Sequence, residues 1–178
     1  MREKFELNEL LSRQAISDRV KELGVEISKD FSKSQNLVCI AILKGSFIFA
    51  ADLLRSLSIP AQIEFMGLKS YEGQQSTGRV QITMDLGIDI KDKDVLLIED
   101  IVDTGTTLEF LNDTLQVREP ASLKIATLLS KPEAHLNDFK LDYVGFEIAD
   151  EFVVGYGLDV DGKYRELDHI AELKDAHS

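Results

Sequence analysis

Ile16, Val20, Leu23, Ile27 and Phe31 recur at spacings of four, three, four and four. That stripe follows the 3.6-residue period and predicts a helix over about residues 13–33. "LVCIAIL" (37–43) offers no polar position to turn toward water. It predicts a strand buried on both faces, as in a parallel sheet. Lys44 and Gly45 end it, and "SFIFAADLLRSL" returns to helical period. After Pro60, Ile63 and Phe65 alternate with polar residues in "AQIEFMGL", a strand pattern. Residues 69–79, "KSYEGQQSTGR", interrupt the pattern with two glycines and little to bury. Alternation resumes at Val80, Ile82 and Met84, so 69–79 is a long excursion between strands, expected to be functional or mobile. "DVLLIED" reads as the next strand, and a helix from about Gly105 to Val117 turns Leu108, Leu111 and Leu115 inward. "SLKIATLL" (122–129), "LDYVGFEI" and "FVVGYG" add three more strands.

Strands alternating with helices predict an α/β fold with a largely parallel central sheet flanked by helices. Its 178 residues suit one domain, 1–178. Ligands of such sheets sit at the carboxyl ends of the strands. Here those ends carry Lys44-Gly45, Glu99-Asp100 and Ser130-Lys131, which should converge on one crevice. Two segments yield no functional reading. "LGIDIKDKD" leads into the strand "DVLLIED", and the polar C-terminal "AELKDAHS" is expected to lie on the surface or fray.

Charge narrows the partners. There are 32 acidic and 20 basic residues, a formal net charge of -12. That argues against a nucleic-acid partner, and against an anionic ligand unless metal ions neutralise it. The single cysteine, Cys39, excludes an intramolecular disulfide and reads as a small core residue of a cytoplasmic protein. "MREKFELNELLSRQ" lacks the apolar stretch of a signal peptide, and no apolar run reaches a membrane span. His135, His169 and His177 lack metal-ligand spacing.

The densest chemistry lies in "VLLIEDIVDTGTT" (95–107), where a buried strand runs into Glu99, Asp100 and Asp103 and then a hydroxyl-rich turn. Gly105 allows a tight turn, and the helix behind it opens with unpaired N–H groups and a positive dipole end. Thr104, Thr106 and Thr107 add hydroxyl donors. A phosphate monoester suits this cradle. Glu99 and Asp100 would repel phosphate, but they can accept from vicinal hydroxyls or bind hydrated Mg²⁺. Donors for phosphate beside acceptors for a diol describe a ribose 5-phosphate, with Asp103 beside the sugar as a candidate base.

The same string resembles the phosphoribosyl-pyrophosphate (PRPP) signature of type I phosphoribosyltransferases. "AILKGSFIFAADLL", "LKSYEG", "TLLSKP" and "VGFEIADEFVVGYGLDVDGKYREL" look like the hypoxanthine-guanine branch, in the right order from about residue 10 to 170. The resemblance implies transfer of a 5-phosphoribosyl group from PRPP to a 6-oxopurine, a purine salvage step in the cytoplasm. It implies a small hood over the sheet from the terminal segments, Mg²⁺ as cofactor, and a homodimer or homotetramer. It assigns Lys44, Gly45 and Arg165 to pyrophosphate, with a Leu-Lys peptide that can be cis. Ser70 and Tyr71 fall at the tip of a lid spanning 69–79. Lys131 would meet the purine 6-oxo oxygen, Phe152 would stack on the ring, and Val153 would offer backbone contacts to the base edge. Glu99 and Asp100 would face one Mg²⁺ and Asp159 a second, with Asp103 as the proton acceptor. Thr106 departs from relatives that carry lysine there.

Two other readings are weaker. A PRPP-sensing regulator on this fold would need a basic face, which a net charge of -12 opposes. An adenine or pyrimidine enzyme would not match Lys131 and "EFVVGYGLD". Hypoxanthine, guanine and xanthine all carry the 6-oxo group, and the pattern does not separate them.

Overall fold

The structure is a computed structural model, and it describes residues 5–70, 80–136 and 139–175. In chain order its elements are β1 (Phe5–Leu11), α1 (Arg13–Asp30), β2 (Leu37–Leu43), α2 (Phe47–Ser56), β3 (Gln62–Ser70) and β4 (Val80–Met84). Then come β5 (Asp94–Val102), α3 (Thr106–Gln116), β6 (Ser122–Ser130), β7 (Tyr143–Glu147), β8 (Val153–Val154) and β9 (Ile170–Asp175). Ser12 caps α1, its Oγ accepting from the Ala15 N–H at 3.2 Å. The helix stops three residues before its expected end, because Phe31 leaves helical geometry and turns into the core.

Six strands form one sheet in the order β4-β3-β2-β5-β6-β7. Every pair from β3 to β7 is parallel, and only β4 is antiparallel. Side chains alternate across the sheet, so each strand feeds two cores. Cys39 and Ala41 of β2 join α1 and α2 on one face. Val38, Ile40 and Ile42 join Leu108, Leu111 and Leu115 of α3 on the other. Burial pushes the Cys39 thiol up to about 12, so it is the inert core residue expected. At the open edge, Arg19 of α1 donates to the Val144 and Gly145 carbonyls of β7 at 2.8 and 3.1 Å.

The topology fixes where a ligand must go. From β2 the chain crosses through α2 to β3 on one side, and from β5 through α3 to β6 on the other. The direction therefore reverses between β2 and β5, and the two strand ends open a crevice there. Over it sits a second, antiparallel sheet, β1-β9-β8, pairing Phe5 with Asp175 and Val153 with Glu172. Val153, Tyr156, Leu158 and Ile170 anchor this hood in the α1–α2 core.

Two expectations change. "AELKDAHS" does not fray over its first five residues, since Ala171–Asp175 belong to β9. "FVVGYG" keeps only Val153–Val154 as strand, followed by a Gly155–Leu158 bridge. "LGIDIKDKD", which had no functional reading, adds three apolar side chains to the core. Ile90 is fully buried and Leu86 and Ile88 pack on the α3 face. Among the described residues no helix is long and apolar enough to cross a membrane.

Candidate active site

The carboxyl ends of β2 and β5 meet in a cleft of about 450 Å³, lined by Lys44, Gly45, Glu99, Asp100, Asp159 and Arg165 among others. β5 runs two residues past "DVLLIED", so Glu99 and Asp100 are strand residues, and Glu99 registers with Thr127 of β6. Glu99 is buried, and desolvation first, then the Asp100 charge, hold its pKa well above the usual carboxylate range. Asp100 keeps part of its surface open to the cleft but is otherwise enclosed. Desolvation pushes its pKa up to about 6 against the opposing hydrogen bond from the Ile101 N–H, 2.9 Å from Oδ1. The Leu43–Lys44 peptide bond is cis. Gly45 lies hard against Asp100, where an added Cβ would fall 1.4 Å from Oδ2. No side chain fits between this turn and the acid. Lys44 stands exposed at the rim.

A smaller cleft, of about 100 Å³, adjoins the first and shares Glu99, Ile101 and Thr107 with it. Asp103, Thr104 and Gly105 complete its wall. Gly105 caps α3 at φ +88°, a conformation that other residues rarely adopt. The Phe139 ring covers it, 2.0 Å from where a Cβ would stand. Thr104 Oγ1 and Thr106 Oγ1 are 3.2 Å apart, so the hydroxyls cluster at the helix opening. Helix N–H groups, a positive dipole end and hydroxyls gathered here can accept an anion.

On the far side of Asp103, Lys131 follows β6, its N–H bonded to the Val102 carbonyl at 2.9 Å. Its side chain is buried, yet Nζ reaches Asp103 Oδ2 at 3.3 Å and Asp150 Oδ1 at 3.0 Å. Phe152, two residues after Asp150, is 55% exposed, while Val153 is buried. Arg165 and Asp159 line the first cleft but bind each other, Nη2 to Oδ1 at 2.5 Å. Lys69 and Ser70, expected to open the lid, instead end β3 in register with Gln81 and Val80 of β4, and Tyr71 with the rest of 71–79 lies outside the described residues. The sequence reading missed Asp150. One acid in "IADEF" carries no signal until the fold sets it against Lys131. A wider hollow of about 590 Å³ lies apart, between α1 and α2. Four of its charges form pairs, Arg13 with Asp168 and Arg55 with Asp52.

The phosphoribosyl transferase domain family matches residues 6–161. This chain belongs to that family. A hypoxanthine-guanine phosphoribosyltransferase of Staphylococcus epidermidis is 51% identical over 168 residues, covering 94% of this chain and 93% of that protein. A hypoxanthine phosphoribosyltransferase of Haemophilus influenzae is 46% identical, covering 96% of this chain and 97% of its own. The crystal structure of a Bacillus anthracis hypoxanthine-guanine phosphoribosyltransferase has a TM-score of 0.89 at 42% identity, over 96% of this chain and 99% of that one.

The donors of this phosphoribosyl transferase suit the divalent ion that the family implies. Glu99 and Asp100 are adjacent carboxylates whose charge is suppressed by burial, the condition a cation relieves. Among the described residues no group of three or more His, Cys, Asp or Glu side chains could hold a metal alone. Two adjacent carboxylates match the needs of Mg²⁺, which takes one or two of them and completes its shell with water and substrate phosphate.

Proposed function

We propose that this phosphoribosyl transferase moves the 5-phosphoribosyl group from PRPP to a 6-oxopurine, hypoxanthine or guanine, releasing pyrophosphate and a purine nucleoside monophosphate. The observation that carries the choice of base is Lys131, a buried cation beside Asp103 and next to the exposed Phe152 segment. An ammonium donates to a keto oxygen and has nothing to offer an exocyclic amine, itself a donor. Residues 1–178 would act as one domain, since the hood packs into the same core as α1 and α2.

Each cleft takes one part of the substrates. The Thr104–Thr107 cradle holds the 5-phosphate, and Glu99 and Asp100 face the ribose. Lys44, the Gly45 backbone and Arg165 face the pyrophosphate, and Phe152 stacks on the base with Val153 at its edge. As the C1–O bond to pyrophosphate breaks, N9 bonds to C1, and Asp103 takes the proton from N7. Lys44 and Arg165 stabilise the charge that collects on the leaving group. Glu99 and Asp100, with Asp159 at a second position, would hold Mg²⁺, which would supply charge neutralisation for the pyrophosphate. That bridge reconciles a chain of net charge -12 with a polyanionic substrate. A cytoplasmic homodimer or homotetramer is the assembly we expect, read by sedimentation.

The deciding experiment is a PRPP-dependent assay with hypoxanthine, guanine, xanthine and adenine, following nucleotide and pyrophosphate together. Stoichiometric nucleotide from hypoxanthine or guanine supports the reading. Efficient use of adenine would overturn the base assignment and leave the PRPP site standing.

A further inference from the structure

Lys131 is held between two carboxylates. Its Nζ lies 3.0 Å from Asp150 Oδ1 and 3.3 Å from Asp103 Oδ2, with its side chain only 8% exposed. An ammonium has three donors in fixed tetrahedral directions. One anchor lets it swivel, whereas two anchors set where the third N–H points. With Asp103 alone, the ammonium would settle on the very carboxylate that must receive a proton. Asp150 draws it off that residue.

The backbone around Asp150 is built to hold it there. Ile148 N–H donates to the Ser130 carbonyl at 2.9 Å, docking this loop onto the end of β6 beside Lys131. Glu151 N–H then donates to the Ala149 carbonyl at 2.8 Å, a tight turn with Asp150 at its apex. Two residues later stands Phe152. One short segment thus carries both the stacking ring and the anchor of the lysine.

We propose that Asp150 is a positioning residue for base recognition: it fixes the Lys131 ammonium so that its remaining donor faces the 6-oxo oxygen. The inference rests on the 6-oxopurine reading above. Asp150 itself, 69% exposed, needs no partner for burial; what the pair constrains is the ammonium of the buried Lys131.

The test compares wild type, Asp150→Ala and Asp150→Glu. Affinity for inosine monophosphate is set against affinity for ribose 5-phosphate, which lacks the base, and KM is measured for hypoxanthine and PRPP. In Asp150→Ala, hypoxanthine KM should rise about tenfold and inosine monophosphate binding should weaken by a similar factor, the scale of a misplaced recognition group. Ribose 5-phosphate affinity and PRPP KM should stay within about twofold, and Asp150→Glu should recover most of the loss by restoring the charge. Unchanged inosine monophosphate affinity in Asp150→Ala would overturn the proposal, as would equal weakening of ribose 5-phosphate. Wild-type protein inactive on every 6-oxopurine would fail at the earlier reading. Wild-type turnover with an unaltered Asp150→Ala would fail here alone.

Discussion

Arg165 Nη2 and Asp159 Oδ1 are 2.5 Å apart, in the wall of the cleft that also holds Lys44 and Asp100. Arg165 donates from Nη1 to the Gly157 carbonyl at 2.6 Å, and Asp159 Oδ2 accepts from the Gly162 N–H at 2.7 Å. The pair is thus braced from both sides. The role proposed for each residue needs a different partner: pyrophosphate for Arg165, a cation for Asp159. Binding of a diphosphate with its metal would satisfy both at once and separate them. Until then each masks the other's charge.

Arg165→Ala should therefore raise the KM for PRPP by roughly 10–100-fold, the worth of a charge-assisted hydrogen bond of about 1.5–3 kcal/mol. The KM for hypoxanthine should stay within about twofold, because the base contacts are proposed for Lys131 and Phe152 instead. Steady-state kinetics in each substrate separates the two. An unmoved PRPP KM would remove Arg165 from the pyrophosphate site.

Asp103→Asn tests the proton acceptor. Removing a general base lowers kcat by ~10²-fold or more. PRPP affinity should change little, since Glu99, Asp100 and the Thr104–Thr107 cradle remain. The variant also removes the charge, though not the acceptor oxygen, from one of the two partners of the Lys131 ammonium. Hypoxanthine affinity should accordingly shift less than kcat, with Asp150 still holding the lysine. Turnover at the wild-type rate would exclude Asp103 from proton transfer.

How much of this was legible beforehand depends on whether the cause is local. β2 was readable to the residue because seven consecutive apolar positions permit only a doubly buried strand. α1 was readable because its buried residues repeat on the helical period. The hood was foreseen only through family resemblance. "FELNELL" and "IAELKD" mix apolar and acidic residues, and become strands only by pairing Phe5 with Asp175 across the whole chain. The 86–94 segment did carry a signal, Leu86, Ile88 and Ile90 at period two, but no strand forms and its burial comes from α3 packing. At the site, Glu99 to Thr107 are contiguous, so their chemistry could be read as a motif. The Lys131–Asp150 contact joins two loops, and only the docking of β7 beside β6 creates it.

At the other end of the sheet, Asp30 Oδ2 accepts from Lys124 Nζ at 2.8 Å and from Tyr143 Oη at 2.7 Å, tying the end of α1 to β6 and β7. The Lys124 bond first, then the Tyr143 bond, hold the Asp30 carboxyl below the usual range. A carboxylate depressed by folding adds stability above its unfolded pKa of about 3.9, and that contribution fades as pH falls through the folded value. Asp30 and Lys124 are 44% and 33% exposed, and solvent screening keeps the contribution to about 1 kcal/mol at most. Asp30→Asn should lower Tm by a few degrees at pH 7 and converge on wild type in the acid range below the folded pKa. A Tm difference that persists there would mean that packing, not charge, links these elements.

Base choice joins the fold to the chemistry, and Lys131→Met isolates it. Methionine fills much of the same volume without a charge, so the buried side chain can be replaced with little loss of packing. Two effects follow. The 6-oxo oxygen loses its donor, which should reduce kcat/KM for hypoxanthine and guanine by at least about tenfold. Adenine, whose amine faces a competing donor in the wild type, no longer does so. The wild-type preference for hypoxanthine over adenine, expected at ~10²-fold or more, should therefore shrink in the variant. Asp103 also loses its cation, so kcat should change even with saturating base, whereas PRPP KM should stay near wild type. Competition between hypoxanthine and adenine in one reaction reads the preference directly. A preference equally strong in Lys131→Met would place base selection elsewhere, in the Val153 backbone or the shape of the pocket around Phe152.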